Sequence, residues 1–232
     1  MDARVTLEFD FVQKSVSARR QVTIHKAVVG GWTGRDKDAL RHHIEELAKI
    51  GVKPPATTPL FYRVSVSRLV QSKAIEVIGE GSSGEVEYVM LKVDGRIWIG
   101  AGSDHTDRVV EHMGITVAKQ LCDKPIADVL WPLDEVDQHW DRLVLRSHIV
   151  ENGQTKLYQE GRVASLLSPH ELLANYVDGG GDLEEGALMF GGTCGAIGGV
   201  RYAPRFSFEL VDPALDRAIR CAYDVCPIPI VG

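Results

Sequence analysis

The sequence predicts a β-rich α+β fold. Apolar residues recur with period two through several short segments, two Asx-Gly pairs stand between such segments as hairpin turns, and stretches with helical spacing are few. A doubly wound sheet would need helices alternating with strands along the chain, and that alternation is missing.

The first strand is expected over 4–12, where Val5, Leu7, Phe9 and Phe11 alternate. A second covers 21–29 and ends at Gly30-Gly31. A helix follows over 36–50, with Leu40, Ile44, Leu47 and Ala48 at helical spacing. Gly51 stops it, and Pro54-Pro55 bars its continuation. Strands over 85–93 and 96–102 flank Asp94-Gly95, and a helix is expected over 108–121. Strands over 143–150 and 156–160 flank Asn152-Gly153, across a loop of two residues or more. Ser168-Pro169-His170-Glu171 reads as a helix start with a capping box. A short buried strand over 187–190 runs into the loop Gly191-Gly192-Thr193-Cys194-Gly195. The tail holds a strand over 205–211 and a short helix before Pro227.

The 232 residues are 44% hydrophobic and 25% charged, an ordinary globular composition. A chain of this length buries roughly 70–75% of its unfolded surface, enough for one large domain over residues 1–232. The net charge is −6 and the basic residues are scattered, which argues against a nucleic-acid partner. The first residues are charged and alternating, and no run approaches the ~20 apolar residues of a membrane span, so no signal core and no membrane partner is expected. Cys122, Cys194, Cys221 and Cys226 form no CxxC pair and no zinc-ribbon spacing. Reduced thiols in a cytoplasmic protein are the simplest reading.

The strongest chemical signal is acidic. Glu85 and Glu87, two apart on a strand, project to one face. If Asp94-Gly95 are the two loop residues, Val93 pairs with Arg96, Leu91 with Trp98, Val89 with Gly100, Glu87 with Gly102 and Glu85 with Asp104. Directly opposed residues share a face, with Cβ atoms roughly 4.5–5.5 Å apart. Three carboxylates then converge, and Gly102 leaves open space across from Glu87. At an effective dielectric of ~20 each close ionised pair costs about 3–4 kcal/mol. Protonating one carboxylate, pairing them with cations, or binding a metal each removes that cost. Oxygen-only ligands suit Mg²⁺, Mn²⁺ or Ca²⁺ rather than a closed zinc site. Against this stands a plain strand edge, with Asp104 merely entering a helix; a bulge near the glycines would turn Asp104 away.

Several segments together resemble the fumarylacetoacetate hydrolase superfamily, in its C-terminal-domain-like form. GEVEYVML is similar to that family's Glu-x-Glu strand, and GSDHTDR to its N-D-V-[ST]-x-R-D segment. AKQLCDKPIADVLWPL is similar to its G-K-S-F-D stretch, LSPHELLANY to its S-I-P-E-L-I, and LEEGALMFGGTCGAIG to its Gly-Thr loop. The segments keep the family's order over roughly residues 27–211. The resemblance implies a mixed β-sheet roll with few peripheral helices, usually a homodimer. Residues 1–60 would supply N-terminal strands and a lid helix, and 61–232 the metal-binding β core.

It further implies that Glu85, Glu87 and Asp104 hold a divalent ion, Mg²⁺ or alternatively Mn²⁺ or Ca²⁺. The ion would chelate an α-keto or β-diketo acid and stabilise the enolate formed as a bond breaks. Lys119 takes the place of the family lysine, contacting substrate or metal-bound water, and Thr193 would hydrogen-bond the substrate carboxylate. The family's H-x-x-E water-activating dyad is matched by His43 and Glu46, with His42 and Glu45 one position back. The segment Gly31-Trp32-Thr33-Gly34-Arg35-Asp36 departs from the family's N-Y-x-x-H, which weakens the dyad; the connection from the Glu strand to Asp104 is shorter than the family's, and Cys194 replaces its proline, but the metal triad survives all three departures. Arg35 and Arg63 are candidates for carboxylate binding, Arg63 standing where family members often have lysine. Asp107 is weighed as a cap for the segment after it, and Cys194 as a small buried thiol rather than a nucleophile. The expected function is a metal-dependent hydrolase or lyase, by acylpyruvate-type C–C cleavage or decarboxylation. The alternatives are a hydratase or isomerase of a dienoate-type acid, and a non-catalytic metal or metabolite binder.

Overall fold

A computed structural model of the chain describes residues 3–49, 54–176 and 179–231; the side chains of 43 and 46–49 lie outside that description. Strands β1 (Val5–Gln13), β2 (Val16–Ile24) and β3 (Lys26–Gly31) lead to helix α1 (Lys37–Lys49). Then come β4 (Leu60–Val64), β5 (Leu69–Val70), β6 (Ala74–Ile78), β7 (Ser82–Ser83), β8 (Val86–Val93), β9 (Arg96–Ser103) and β10 (Thr106–Asp107). Helix α2 (Ile115–Leu121) precedes β11 (Lys124–Pro125), β12 (Val129–Pro132) and α3 (Leu133–Val136). Strands β13 (Val144–Glu151) and β14 (Gln154–Arg162), helix α4 (Pro169–Asn175), and strands β15 (Ala187–Thr193), β16 (Arg205–Asp212) and β17 (Arg217–Ile228) complete the order.

Eight strands form one mixed sheet in the order β2-β1-β12-β9-β8-β15-β3-β4, parallel only at β1/β12 and β15/β3. Five form a second sheet, β14-β13-β16-β17-β6. Period-two patterning gives the outer strands β1, β2 and β4 one buried apolar face, while the central strands β8, β9 and β15 are buried on both faces. Val86, Tyr88, Met90, Ile99 and Met189 pack between the sheets against Leu145, Phe206, Phe208 and Tyr223. On the other face, Phe9, Ile24, Val64, Val89, Leu91 and Phe190 form a second cluster. Ile24 and Val64 stand on opposite edge strands yet share that cluster, so the sheet curls round it. Each such side chain fully buried contributes about 1.5–3 kcal/mol before chain entropy is subtracted.

The turns set the registers. Asp94 and Gly95 have φ of 54° and 72°, and Asn152 and Gly153 have 51° and 75°, so both hairpins close through two left-handed residues whose twist matches the strands. The β13–β14 loop is therefore two residues long. Ser168 and Glu171 form the expected capping box: Glu171 N–H donates to Ser168 Oγ at 3.3 Å, and Ser168 N–H to Glu171 Oε2 at 2.8 Å. Asp36 caps α1, accepting from the N–H groups of Asp38 and Ala39 at 3.0 Å.

Three expectations are corrected. The strand expected over 21–29 is two strands bent at His25, whose N–H donates to Gly186 O at 3.0 Å. The helix expected over 108–121 begins only at Ile115, after Gly114. Residues 108–113 are turns, and Asp107 Oδ1 accepts from Val109 and Val110 N–H at 2.9 and 3.0 Å. The helix expected in the tail is strand β17, because Ile219, Tyr223 and Val225 all fall on its inward face. None of the four cysteines is paired, and among the described residues no helix is long and apolar enough to cross a membrane.

Candidate metal centre

The β8–β9 hairpin adopts the register expected from its turn. Val93 pairs with Arg96, Leu91 with Trp98, Val89 with Gly100 and Glu87 with Gly102. The pairing runs past the strand ends, where Asp104 N–H donates to Glu85 O at 2.9 Å. One carboxylate oxygen from each of Glu85, Glu87 and Asp104 lies within 4.8 Å of the other two. Gly102 has a different use from the one expected. A Cβ there would lie 2.6 Å from the Phe190 ring, so the glycine admits that ring rather than leaving open space.

Glu87 is 2% exposed and Asp104 fully enclosed, so the repulsion among these groups is only weakly screened. Three cations offset it. Arg108 Nη2 lies 2.9 Å from Glu85 Oε1. Lys119 Nζ donates to Asp104 Oδ2 and stands 3.6 Å from Glu85 Oε2. Lys124, fully enclosed, donates from Nζ to His105 O at 2.5 Å and lies 3.1 Å from Asp104 Oδ1. Burial alone would raise Asp104, but Lys119 and Lys124 outweigh it and hold its carboxyl down at about 2. Burial would lower Lys119, but Asp104, Glu85 and Glu87 outweigh it and raise the ammonium. Lys124 is lowered, because its burial, with the charge of Lys119 added, outweighs the pull of Asp104. Glu87 goes the other way: burial, then the charge of Asp104, pushes it well above the usual carboxylate range.

Neighbouring groups fix these side chains. Gly192 N–H donates to Glu87 Oε2 at 2.7 Å. Gly192 has φ of 110°, and a Cβ there would come within 1.9 Å of Thr33 Oγ1, so only glycine fits. Gln159 ties the hairpin to the second sheet: its Oε1 accepts from Val86 N–H at 3.0 Å and its Nε2 donates to Cys194 O at 2.6 Å. His105 is held between Ser82 Oγ at 2.9 Å and Tyr223 OH at 2.8 Å. Burial, Lys124 and Arg108 push its imidazole down to about 3, so it is neutral.

Of the residues singled out from sequence, Glu85, Glu87, Asp104 and Lys119 come together. Thr193 lies opposite Glu87, but its hydroxyl is committed, donating to Val86 O at 2.7 Å and accepting from Gln159 Nε2 at 2.9 Å. Arg63 is not brought to the cluster. It is exposed, near Glu184, on the face of β4 opposite the inward-packed Tyr62 and Val64. Arg35 is also elsewhere, bound to Asp141 at 3.0 Å and Glu171 at 3.6 Å. The side chains of His43 and Glu46 lie outside the described residues, while His42 and Glu45 are exposed on α1. Cys194 is pushed up to about 11 by burial, so its sulfur is a thiol.

Lys124, Arg108 and Gln159 were not singled out. Lys124 leaves a trace, as the one cation in the stretch from Leu121 to Trp131, and Arg108 follows Asp104 by four residues. Gln159 leaves none, because its importance comes from a contact between sheets.

The donor set is all oxygen, as a hard divalent ion requires. Asp104 Oδ1 is buried and faces the Lys124 ammonium at 3.1 Å, a cationic position within reach of the carboxylates.

A family model described as protein of unknown function (DUF2848) matches residues 30–223. No curated protein matches the chain. Among solved structures, a protein from Oleispira antarctica provisionally described as a fumarylacetoacetate isomerase/hydrolase is 19% identical, with a TM-score of 0.65 over 93% of this chain and 99% of that one. Yeast ynq8, a fumarylacetoacetate hydrolase family protein, is 17% identical, with a TM-score of 0.61 over 90% and 95%. A 2-keto-3-deoxy-D-arabinonate dehydratase complexed with magnesium and 2,5-dioxopentanoate is 15% identical, with a TM-score of 0.62 over 91% and 77%. At these identities the likeness shows the fold: the chain folds as fumarylacetoacetate hydrolase-like proteins do.

Proposed function

The chain belongs to the DUF2848 family, and from that premise we propose that it is a divalent-metal-dependent hydrolase or lyase acting on a small α-keto or β-diketo acid. The observation that carries the reading is the convergence of Glu85, Glu87 and Asp104 within 4.8 Å, with Glu87 and Asp104 buried and Glu85 partly so. A solved neighbour of the same fold holds magnesium and a dioxo acid, which supports the same class here.

Glu85, Glu87 and Asp104 would hold the ion. When bound, Mg²⁺ or Mn²⁺ supplies a Lewis acid against the negative charge that develops on a substrate oxygen. The chain's own groups set up that chemistry. Arg108 and Lys124 fix Glu85 and Asp104, and Gly192 N–H aims Glu87. Burial of Glu87 and Asp104 excludes water and strengthens each charge. Lys119, Lys124 and Arg108 already match the three carboxylates in number, so a divalent ion leaves the site positive. An acidic substrate offsets that excess.

The test is turnover of acylpyruvates and oxaloacetate with added Mg²⁺ or Mn²⁺, comparing the natural chain with Glu85→Gln and Asp104→Asn. Cleavage or decarboxylation that is metal-dependent and at least 100-fold slower in both variants is expected. No turnover across a broad keto-acid panel, with metal still raising Tm, would identify a non-catalytic binder instead.

A further inference from the structure

The three cations that face the carboxylate cluster are not held alike. Arg108 has anchors of its own: Nε donates to Ser83 Oγ at 2.8 Å, and Nη1 lies 3.1 Å from Glu111 Oε2. Lys124 is fully enclosed and bonded to the backbone carbonyl of His105. Lys119 has no comparable second anchor among the described hydrogen bonds and ion pairs. Its ammonium hydrogen-bonds Asp104 Oδ2 and lies 3.6 Å from Glu85 Oε2, bridging two of the three carboxylates. It is carried by the last turn of α2, a helix of seven residues entered through Gly114, whose Val117 is 53% exposed. This one side chain, itself only 7% exposed, occupies oxygens that a divalent ion would take. An ammonium and a divalent ion cannot share those oxygens without close repulsion.

Resting on the metal reading above, we propose that Lys119 is a tethered placeholder cation: it neutralises Asp104 and Glu85 in the metal-free protein and withdraws when a divalent ion binds. Lys124 and Arg108 keep their anchors and stay. Binding of the ion is weakened by the work of displacing Lys119, and the metal-free pocket is spared the full repulsion of its carboxylates.

The probe is Mn²⁺ alone, titrated calorimetrically into chelator-treated protein, natural chain against Lys119→Met. The variant is expected to bind Mn²⁺ at least tenfold more tightly. Its Tm should be lower than that of the natural chain without metal, and should rise further when Mn²⁺ is added. A second measurement needs no variant. Acetylation of Lys119 by a small amine-reactive ester, read by peptide mass spectrometry, should increase several-fold when Mn²⁺ saturates the natural chain, while Lys124 stays protected. If the natural chain binds Mn²⁺ and the variant binds it no more tightly, or if Lys119 stays unreactive at saturation, Lys119 is no placeholder although the metal reading stands. If neither chain binds Mn²⁺, both the placeholder and the metal reading fail.

Discussion

Replacing Lys124 with methionine removes a fully enclosed cation while keeping nearly the same volume. The lost interactions are the 3.1 Å approach to Asp104 Oδ1 and the 2.5 Å hydrogen bond to His105 O. Breaking a buried ion pair by removing one partner costs about 3–5 kcal/mol. Asp104 keeps Lys119, which places the expected cost near the lower end, about 3 kcal/mol. For a chain of this size that lowers Tm by roughly 6–12 °C. The assay is urea unfolding with chelator present, run as a double-mutant cycle of Lys124→Met, Asp104→Asn and both together. Once Asp104 has lost its charge, removing Lys124 should cost much less, giving a coupling of about 2 kcal/mol. Effects that add within about 0.5 kcal/mol would show that Lys124 does not stabilise Asp104, and the electrostatic account of the pocket would fail.

Gly192→Ala should destabilise by about 3 kcal/mol or more in thermal or urea unfolding, because its φ of 110° and a Cβ 1.9 Å from Thr33 Oγ1 combine strain with overlap. Glu87→Gln should make the chelator-treated protein more stable, increasingly so as pH rises above about 5. The raised Glu87 holds its proton in the folded state, so the folded state binds more protons than the unfolded one and loses stability with rising pH; glutamine removes that loss, which denaturant titrations at pH 5 and 8 would measure. At pH 8, exposed Cys226 should react promptly with a disulfide reagent while Cys122 stays intact. Burial pushes Cys122 up to about 11, leaving about one thiolate per thousand, and prompt labelling of the folded protein at Cys122 would contradict its burial.

The hairpin that builds the site was legible because it is local. Asp94-Gly95 sets the turn, the turn sets the register, and the register brings Glu85 opposite Asp104. The capping box at Ser168 was legible for the same reason. What escaped depends on contacts distant in sequence. The first half of β2 is exposed and carries Arg19 and Arg20, so no apolar alternation marks it; pairing with β1 makes it a strand. Strand β17 looks helical near Ala218-Ile219 until β16 and β6 take its two edges. Gly102 was legible as a gap, but the Phe190 ring that fills it comes from another strand. Arg63 and Arg35 are of the right chemical type and in the wrong place, since strand alternation turns one outward and Asp141 holds the other. The cationic half of the site could be read only in part, because Lys124 and Arg108 meet the carboxylates through the fold.

The proposed site requires three carboxylates of one hairpin, Glu87 and Asp104 buried and Glu85 partly exposed, to share a divalent cation. A crystal of the natural chain soaked in Mn²⁺ and recorded at the manganese absorption edge tests it most directly. The account predicts an anomalous peak about 2.2 Å from an oxygen of each of Glu85, Glu87 and Asp104. No peak there at saturating Mn²⁺, or a peak bound by other residues, would contradict it.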